Sequence, residues 1–164
     1  MKIDLGCGSH PRGDVGVDSG AGAVCTATTG DDPFLEPLGF SFNPNARLVK
    51  DTIEHYLEVS PPTESDDVLI AHTLEHLHDP YSTLEKLRGA HLVVVVVPNP
   101  LRNNADCVDE GHLFSWTPCA LRNLLSQVFE RRVEVRPIVW DLDLLAVVHP
   151  LEGRLKNDQL QQGL

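Results

Sequence analysis

The stretch HLVVVVVPNP, residues 91–100, sets the strongest limit on what this chain can fold into. Five consecutive valines favour extended backbone, where a β-branched side chain packs well. With no polar alternation, both faces of that strand must be covered, which is the habit of a central parallel strand between helical layers. Further β-like runs, alternating with helical patterns, occur at Lys2–Leu5, Asp14–Asp18, Arg47–Lys50, Asp67–Ala71, Arg132–Val139 and Leu142–Val148. With Leu92–Val97 they predict seven strands in an α/β fold. A chain of 164 residues suits one compact domain, expected over residues 1–150, with residues 151–164 as a polar tail that frays.

Two helices carry their own boundary signals. DPYSTLEKLRG puts Asp79 at the N-cap, Pro80 in the first turn and Gly89 past the end, with Tyr81, Leu84 and Leu87 on one face. TPCALRNLLSQVF repeats the device with Thr117 and Pro118, and Leu121, Leu124, Leu125 and Val128 form its buried stripe. Both are expected to pack on the sheet. Residues 19–45 and 99–116 are rich in Gly, Pro, Asn and Asp and read as long irregular segments.

A formal charge of −11 repels a phosphate backbone and disfavours nucleic acid as a partner. Arg131, Arg132 and Arg136 are expected on a solvated strand face. No apolar stretch nears the ~20 residues of a membrane span, and the first residues, MKIDLG, have neither a secretory nor a transit pattern. The expected compartment is the cytoplasm, with Cys7, Cys25, Cys107 and Cys119 as reduced thiols.

IDLGCGSHPRGDVGVD, residues 3–18, joins an apolar run, a glycine-cysteine-glycine turn and a second apolar run ending on an acid. In a dinucleotide fold such a turn opens a helix whose N-terminus carries the pyrophosphate. Here position 11 is a proline, and the eight residues between Leu5 and Asp14 are too few for a helical crossover. Fully extended they reach about 26–29 Å, enough to return along a strand of ~17 Å and step ~5 Å sideways. A bare link can therefore join two parallel strands, but it supplies no long helix dipole, and NAD or ATP fits poorly. What remains is a backbone edge at Gly6 and Gly8, followed by Asp18 placed to accept hydrogen bonds from a ribose diol. A ligand with a ribose and a phosphate-free polar tail fits, and S-adenosylmethionine is one.

In order along the chain, IDLGCG, VGVD, LVKDTIEHYLEV, DDVLIAHTLEHLHDP, VVVVVPNP and EGHLFSW resemble the class I S-adenosylmethionine-dependent methyltransferases over residues 2 to about 130. The resemblance implies a Rossmann-like, seven-stranded, mostly parallel sheet with one antiparallel strand and helices on both faces, in a trimmed form whose first crossover helix is shortened or absent. It implies S-adenosylmethionine as cofactor, with Gly6, Cys7 and Gly8 at its methionine end, Asp18 at the ribose, Asp51 and Thr52 at the adenine edge, and Asp4 as a nearby water-linked acid. His72 would sit at a strand end near the transferring methyl. The acceptor would be a small molecule or a protein side chain offering O, N or C. A partner subunit would complete an open pocket of this kind, which makes a homodimer a natural arrangement.

Methyl transfer needs alignment and exclusion of water, and an O–H or N–H acceptor also benefits from a base titrating near neutrality. His72 and His112 are the candidates, His112 because EGHLFSW follows the fifth strand. Phe114 and Trp116 either wall an acceptor pocket or anchor the loop on the core. Two alternatives come from other classes. One is a scaffold that binds S-adenosylmethionine or S-adenosylhomocysteine without catalysis. The other is a zinc hydrolase, because His72-x-x-Glu75-His76 matches H-x-x-E-H; it needs a long helix, which Asp79-Pro80 interrupts, so no resident metal is expected.

Overall fold

The computed structural model describes residues 1–20, 33–102, 111–138 and 142–150. The strands are β1 (Lys2–Leu5), β2 (Val15–Asp18), β3 (Arg47–Lys50), β4 (Asp67–Ala71), β5 (Leu92–Pro98), β6 (Val133–Ile138) and β7 (Asp143–Val148). The helices are α1 (Ile53–Val59), α2 (Pro80–Lys86) and α3 (Pro118–Phe129). All seven strands form one sheet in the order β3-β2-β1-β4-β5-β7-β6. β1 to β5 are mutually parallel, and β7 is antiparallel to both β5 and β6. The valine strand is central and Val93–Val97 are buried, yet only its β4 side is parallel. Continuous burial comes from cover on both faces, which an antiparallel neighbour does not disturb.

Alternate side chains of the strands divide between two cores. Ile3, Leu5, Ile70 and Val95 meet α1, α2 and α3 through residues such as Leu57, Leu84 and Leu125. On the other face Leu69, Val94, Val96 and Leu145 meet Leu35, Phe40 and Ile138. Among the described residues the α-helices share the first face. The second is covered by the segment around Leu35–Phe40, with a 3-10 turn at Glu36–Leu38. Full burial of Leu35 and Phe40 stabilises by about 1.5–3 kcal/mol each.

The link between β1 and β2 has no helix and is tied down at several points. Arg12 N–H donates to Asp4 Oδ2 at 2.8 Å, Asp14 N–H to the Lys2 carbonyl at 2.8 Å, and Asn43 N–H to the Pro11 carbonyl at 2.9 Å. At Gly16 a Cβ would lie 2.7 Å from Cys7 Sγ and 2.8 Å from Pro11 Cβ. Glycine there lets the link lie flat on β2. Asp14, expected inside the strand, acts as its connector, its carboxylate accepting from Lys2 N–H at 2.7 Å.

The two expected helices form with their expected caps: Asp79 accepts from Ser82 N–H, and Thr117 from Ala120 N–H. Tyr81 is a correction. It is 42% exposed, and the buried face of α2 is Pro80, Thr83 and Leu84, continued by Leu87. Tyr81 lies one helical step, about 100°, round from that stripe. Arg131 is not a solvated strand residue either; its guanidinium donates to the Ala90 carbonyl at 2.7 Å and to the Arg88 carbonyl at 2.5 Å, fastening α3 to the turn before β5. Arg132 pairs with Glu134 at 2.9 Å on the surface, as expected of that face. Among the described residues no helix is long and apolar enough to cross a membrane. Residues 21–32, 103–110 and the tail 151–164 lie outside the described residues.

Candidate functional site

The chain runs outward from β1 to β2 and β3, then returns to place β4 on the other side of β1. That reversal is the position where open α/β sheets bind ligands, beyond the carboxyl ends of the strands. The register pairs Leu5 with Val17 and Ile70, and Asp18 with Lys50. Residues 6–8, 18, 51–52 and 72 therefore emerge along one edge.

Gly6 and Gly8 both have left-handed backbone, φ 77° and 56°, a conformation that favours glycine. Gly6 N–H donates to the Val17 carbonyl at 2.8 Å, closing the turn on β2. A Cβ at Gly6 would collide with the Thr73 side chain, so the turn after β4 sits hard against the turn after β1. Asp18 is the clasp: its Oδ2 accepts from Gly8 N–H at 2.9 Å and its Oδ1 from Gly20 N–H at 2.8 Å. Each oxygen keeps a second lone pair for a ligand hydroxyl. Beneath the turn, burial pushes the Asp4 carboxyl up to about 6 against the opposing hydrogen bond from Arg12 N–H. Asp4 Oδ1 is buried with no hydrogen-bond partner. The Cys7 thiol is buried and pushed up to about 12, by burial first and then by Asp4 and Asp18, which leaves it un-ionised.

Asp51 stands next to Asp18, its N–H donating to the Asp18 carbonyl at 3.1 Å. Its carboxylate meets His55 Nδ1 at 2.7 Å, which lowers the Asp51 pKa and raises that of His55. Thr52 is the N-cap of α1, its hydroxyl accepting from His55 N–H at 3.3 Å. Asp51 and Thr52 thus lie at the carboxyl edge of the sheet, where both hold the start of α1.

His72 ends β4 with φ 50°, its N–H donating to the Val96 carbonyl at 2.9 Å. Its imidazole lies between two carboxylates: Nδ1 is 3.8 Å from Glu75 Oε1 and Nε2 is 3.7 Å from Asp143 Oδ2. His112 Nε2 is 4.0 Å from the same Glu75 oxygen. The structure thus brings the two candidate bases to one carboxylate. Glu75 is 1% exposed, and burial, helped by Asp143, pushes its carboxyl up to about 7. His112 arrives because Leu113 N–H (2.8 Å) and Phe114 N–H (3.1 Å) donate to the Glu75 carbonyl. Phe114 and Trp116 stack at 5.5 Å, with Trp116 packed against the core, so the pair anchors this loop.

The H-x-x-E-H reading is corrected by the backbone. Only Leu74–His76 is helical, as a 3-10 turn, and neither His72 nor Thr73 has helical backbone. His72 and His76 do not share an α-helical face. Sequence reasoning also missed Asp143, Thr73 and the central place of Glu75; the spacing in LEHLH names the residues but not the partners that the fold brings in.

No family model matches the chain, and no curated protein matches it. Solved structures do. A SAM-dependent methyltransferase from Archaeoglobus fulgidus superposes with a TM-score of 0.60 at 16% identity, over 90% of this chain and 84% of that one. A methyltransferase in complex with the Haloferax volcanii Trm112 activator gives 0.59 at 16%, over 93% and 83%. The plantazolicin methyltransferase BpumL, in complex with SAH, gives 0.56 at 13%, over 91% and 75%. Strand order, the antiparallel β7 and these superpositions agree: the chain has the Rossmann-like fold of the SAM-dependent methyltransferases.

Proposed function

We propose that this chain is an S-adenosylmethionine-dependent methyltransferase acting on a small molecule or a protein side chain. The observation that carries the reading is the clasp at the strand-order reversal: a left-handed glycine turn on β1, tied by its own N–H to a carboxylate at the tip of the parallel strand β2. The residues fit the cofactor. The turn offers main chain without Cβ atoms, Asp18 retains lone pairs for the ribose hydroxyls, and the orphaned Asp4 oxygen offers a buried acceptor. When bound, S-adenosylmethionine supplies a methyl group on a good sulfonium leaving group.

The chain's own residues would then do three things. Gly6, Cys7 and Gly8 line the methionine end, with Asp18 on the ribose and Asp51 and Thr52 beside the adenine. The turn at Thr73 closes against Gly6 and holds His72 beside that end. His72 would take a proton from an O–H or N–H acceptor, with Asp143 stabilising the imidazolium that results, and His112, the other candidate base, reaches the same Glu75 oxygen as His72. A neutral thiol at Cys7 makes that residue a poor nucleophile and leaves it a lining role.

Turnover with methyl-labelled S-adenosylmethionine against a panel of alcohols, amines and peptides tests the reading. Label should pass to at least one acceptor, and His72→Ala should lower kcat more than it alters cofactor affinity. Tight cofactor binding with no transfer to any acceptor would make the chain a binder rather than an enzyme.

A further inference from the structure

The carboxylate of Glu75 poses a problem that methyl transfer does not solve. It is 1% exposed, and both of its oxygens are buried without a hydrogen-bond partner. A buried carboxylate in that state is costly unless a cation or a set of donors completes it. What surrounds it is imidazole. One ligand atom each from Glu75, His76 and His112 lies within 4.8 Å of the others. We propose that Glu75, His76 and His112 form a binding site for a first-row divalent cation, between the turn after β4 and the loop that leads into α3.

The two histidines are held in ways that suit ligation. His76 Nδ1 is 3.0 Å from the Gly111 carbonyl, so that nitrogen donates and Nε2 carries the lone pair. A metal-bound histidine generally has such an outer hydrogen bond, which fixes its tautomer and ring orientation. The His76 and His112 rings meet edge to face at 4.7 Å. The backbone bonds from Leu113 and Phe114 to the Glu75 carbonyl fasten the two segments together before any ion arrives. Donors about 2.0–2.2 Å from a tetrahedral ion stand roughly 3.4 Å apart, so closing the site takes side-chain movements of about 1 Å. His76 is exposed and His112 is 18% exposed at its side chain, so both have room to make them.

Two imidazoles and a carboxylate select Zn²⁺, Co²⁺, Fe²⁺ or Mn²⁺ over Mg²⁺ and Ca²⁺, which prefer all-oxygen sites. Three protein ligands leave coordination positions open for water, the arrangement of working rather than purely structural sites. This set differs from the H-x-x-E-H pattern: the second histidine comes from position 112 rather than 72. It departs from the sequence-based expectation of no resident metal.

The test uses the full chain stripped with a chelator, titrated with Zn²⁺ by calorimetry and with Co²⁺ by visible absorption. One Zn²⁺ should bind per chain, Co²⁺ should give d–d bands of a nitrogen-oxygen site, and Mg²⁺ should not compete. Glu75→Gln, His76→Ala and His112→Ala should each weaken Zn²⁺ by about tenfold or more. His91→Ala should not, since His91 pairs with Asp67 at the opposite end of the sheet. Circular dichroism checks each fold. If Glu75→Gln fails to fold, the exposed His76→Ala and the Zn²⁺-induced shifts of the His76 and His112 ring resonances decide. Absence of saturable binding, or binding that survives His76→Ala and His112→Ala, overturns the site. S-adenosylhomocysteine titrated into the same samples reports on the cofactor separately.

Discussion

At the scale of single residues, the groups whose chemistry is most displaced all gather at the carboxyl edge of β1 and β4. Asp4 bears on stability directly. Its carboxyl titrates near 3.8 when unfolded and about 6 when folded, so the folded state holds the proton more tightly. That stabilisation is present below pH 4 and is lost as the pH rises to 6. The stability of the native chain relative to Asp4→Asn should therefore fall by about 2 kcal/mol between pH 4 and pH 7, measured by denaturant unfolding across that range; a flat difference would contradict the burial of a titrating Asp4. His72 bears on backbone strain. At φ 50°, asparagine is tolerated far better than a β-branched residue. His72→Asn should melt above His72→Val, by about 1 kcal/mol in stability, although both lose the imidazole. The proposed cofactor edge could be assembled at this scale because Gly6, Gly8 and Asp18 are close in sequence. Glu75 was not legible as a centre, since its partners at 112 and 143 arrive only through the fold-back of the 111–114 loop and the antiparallel return of β7.

Among the elements, those with local boundary signals could be read in advance and those without could not. Asp79-Pro80 and Thr117-Pro118 mark helix starts by side-chain capping, a purely local interaction. α1 went unplaced because seven residues give only two turns of periodicity, although Thr52 at the cap and Ile53, Tyr56 and Leu57 at its buried face carry the same signals. The cover of the second sheet face by Leu35 and Phe40 has no period at all. It depends on a tertiary contact that no window of sequence contains. α3 ends on Glu130 in left-handed backbone, φ 51°, with its N–H donating to the Ser126 carbonyl at 3.2 Å. A glycine there removes a Cβ penalty and takes an acid away from the negative end of the helix dipole. Glu130→Gly should stabilise the chain by about 0.5–1 kcal/mol, read as a raised denaturation midpoint; a lowered midpoint would mean the side chain has a role outside the cap.

The whole molecule carries a strong excess of negative charge. A net charge of −11 on 164 residues opposes the compact state by self-repulsion, so moving from about 20 mM to about 200 mM salt, which shortens the screening length several-fold, should raise the Tm. A Tm that falls with salt would mean that favourable ion pairs outweigh the repulsion. The seven-strand count and the central valine strand were legible because hydrophobic runs record burial directly; the antiparallel side of β5 was not, since a strand covered on both faces looks the same beside either kind of neighbour. The account as a whole rests on the clasp between the β1 turn and Asp18. Its most direct test is a calorimetric titration of the native chain and of Asp18→Ala with S-adenosylhomocysteine. One-site binding to the native chain, weakened in the variant by about 1–3 kcal/mol, is the predicted result. No binding to the native chain, or equal affinity for both, would contradict it.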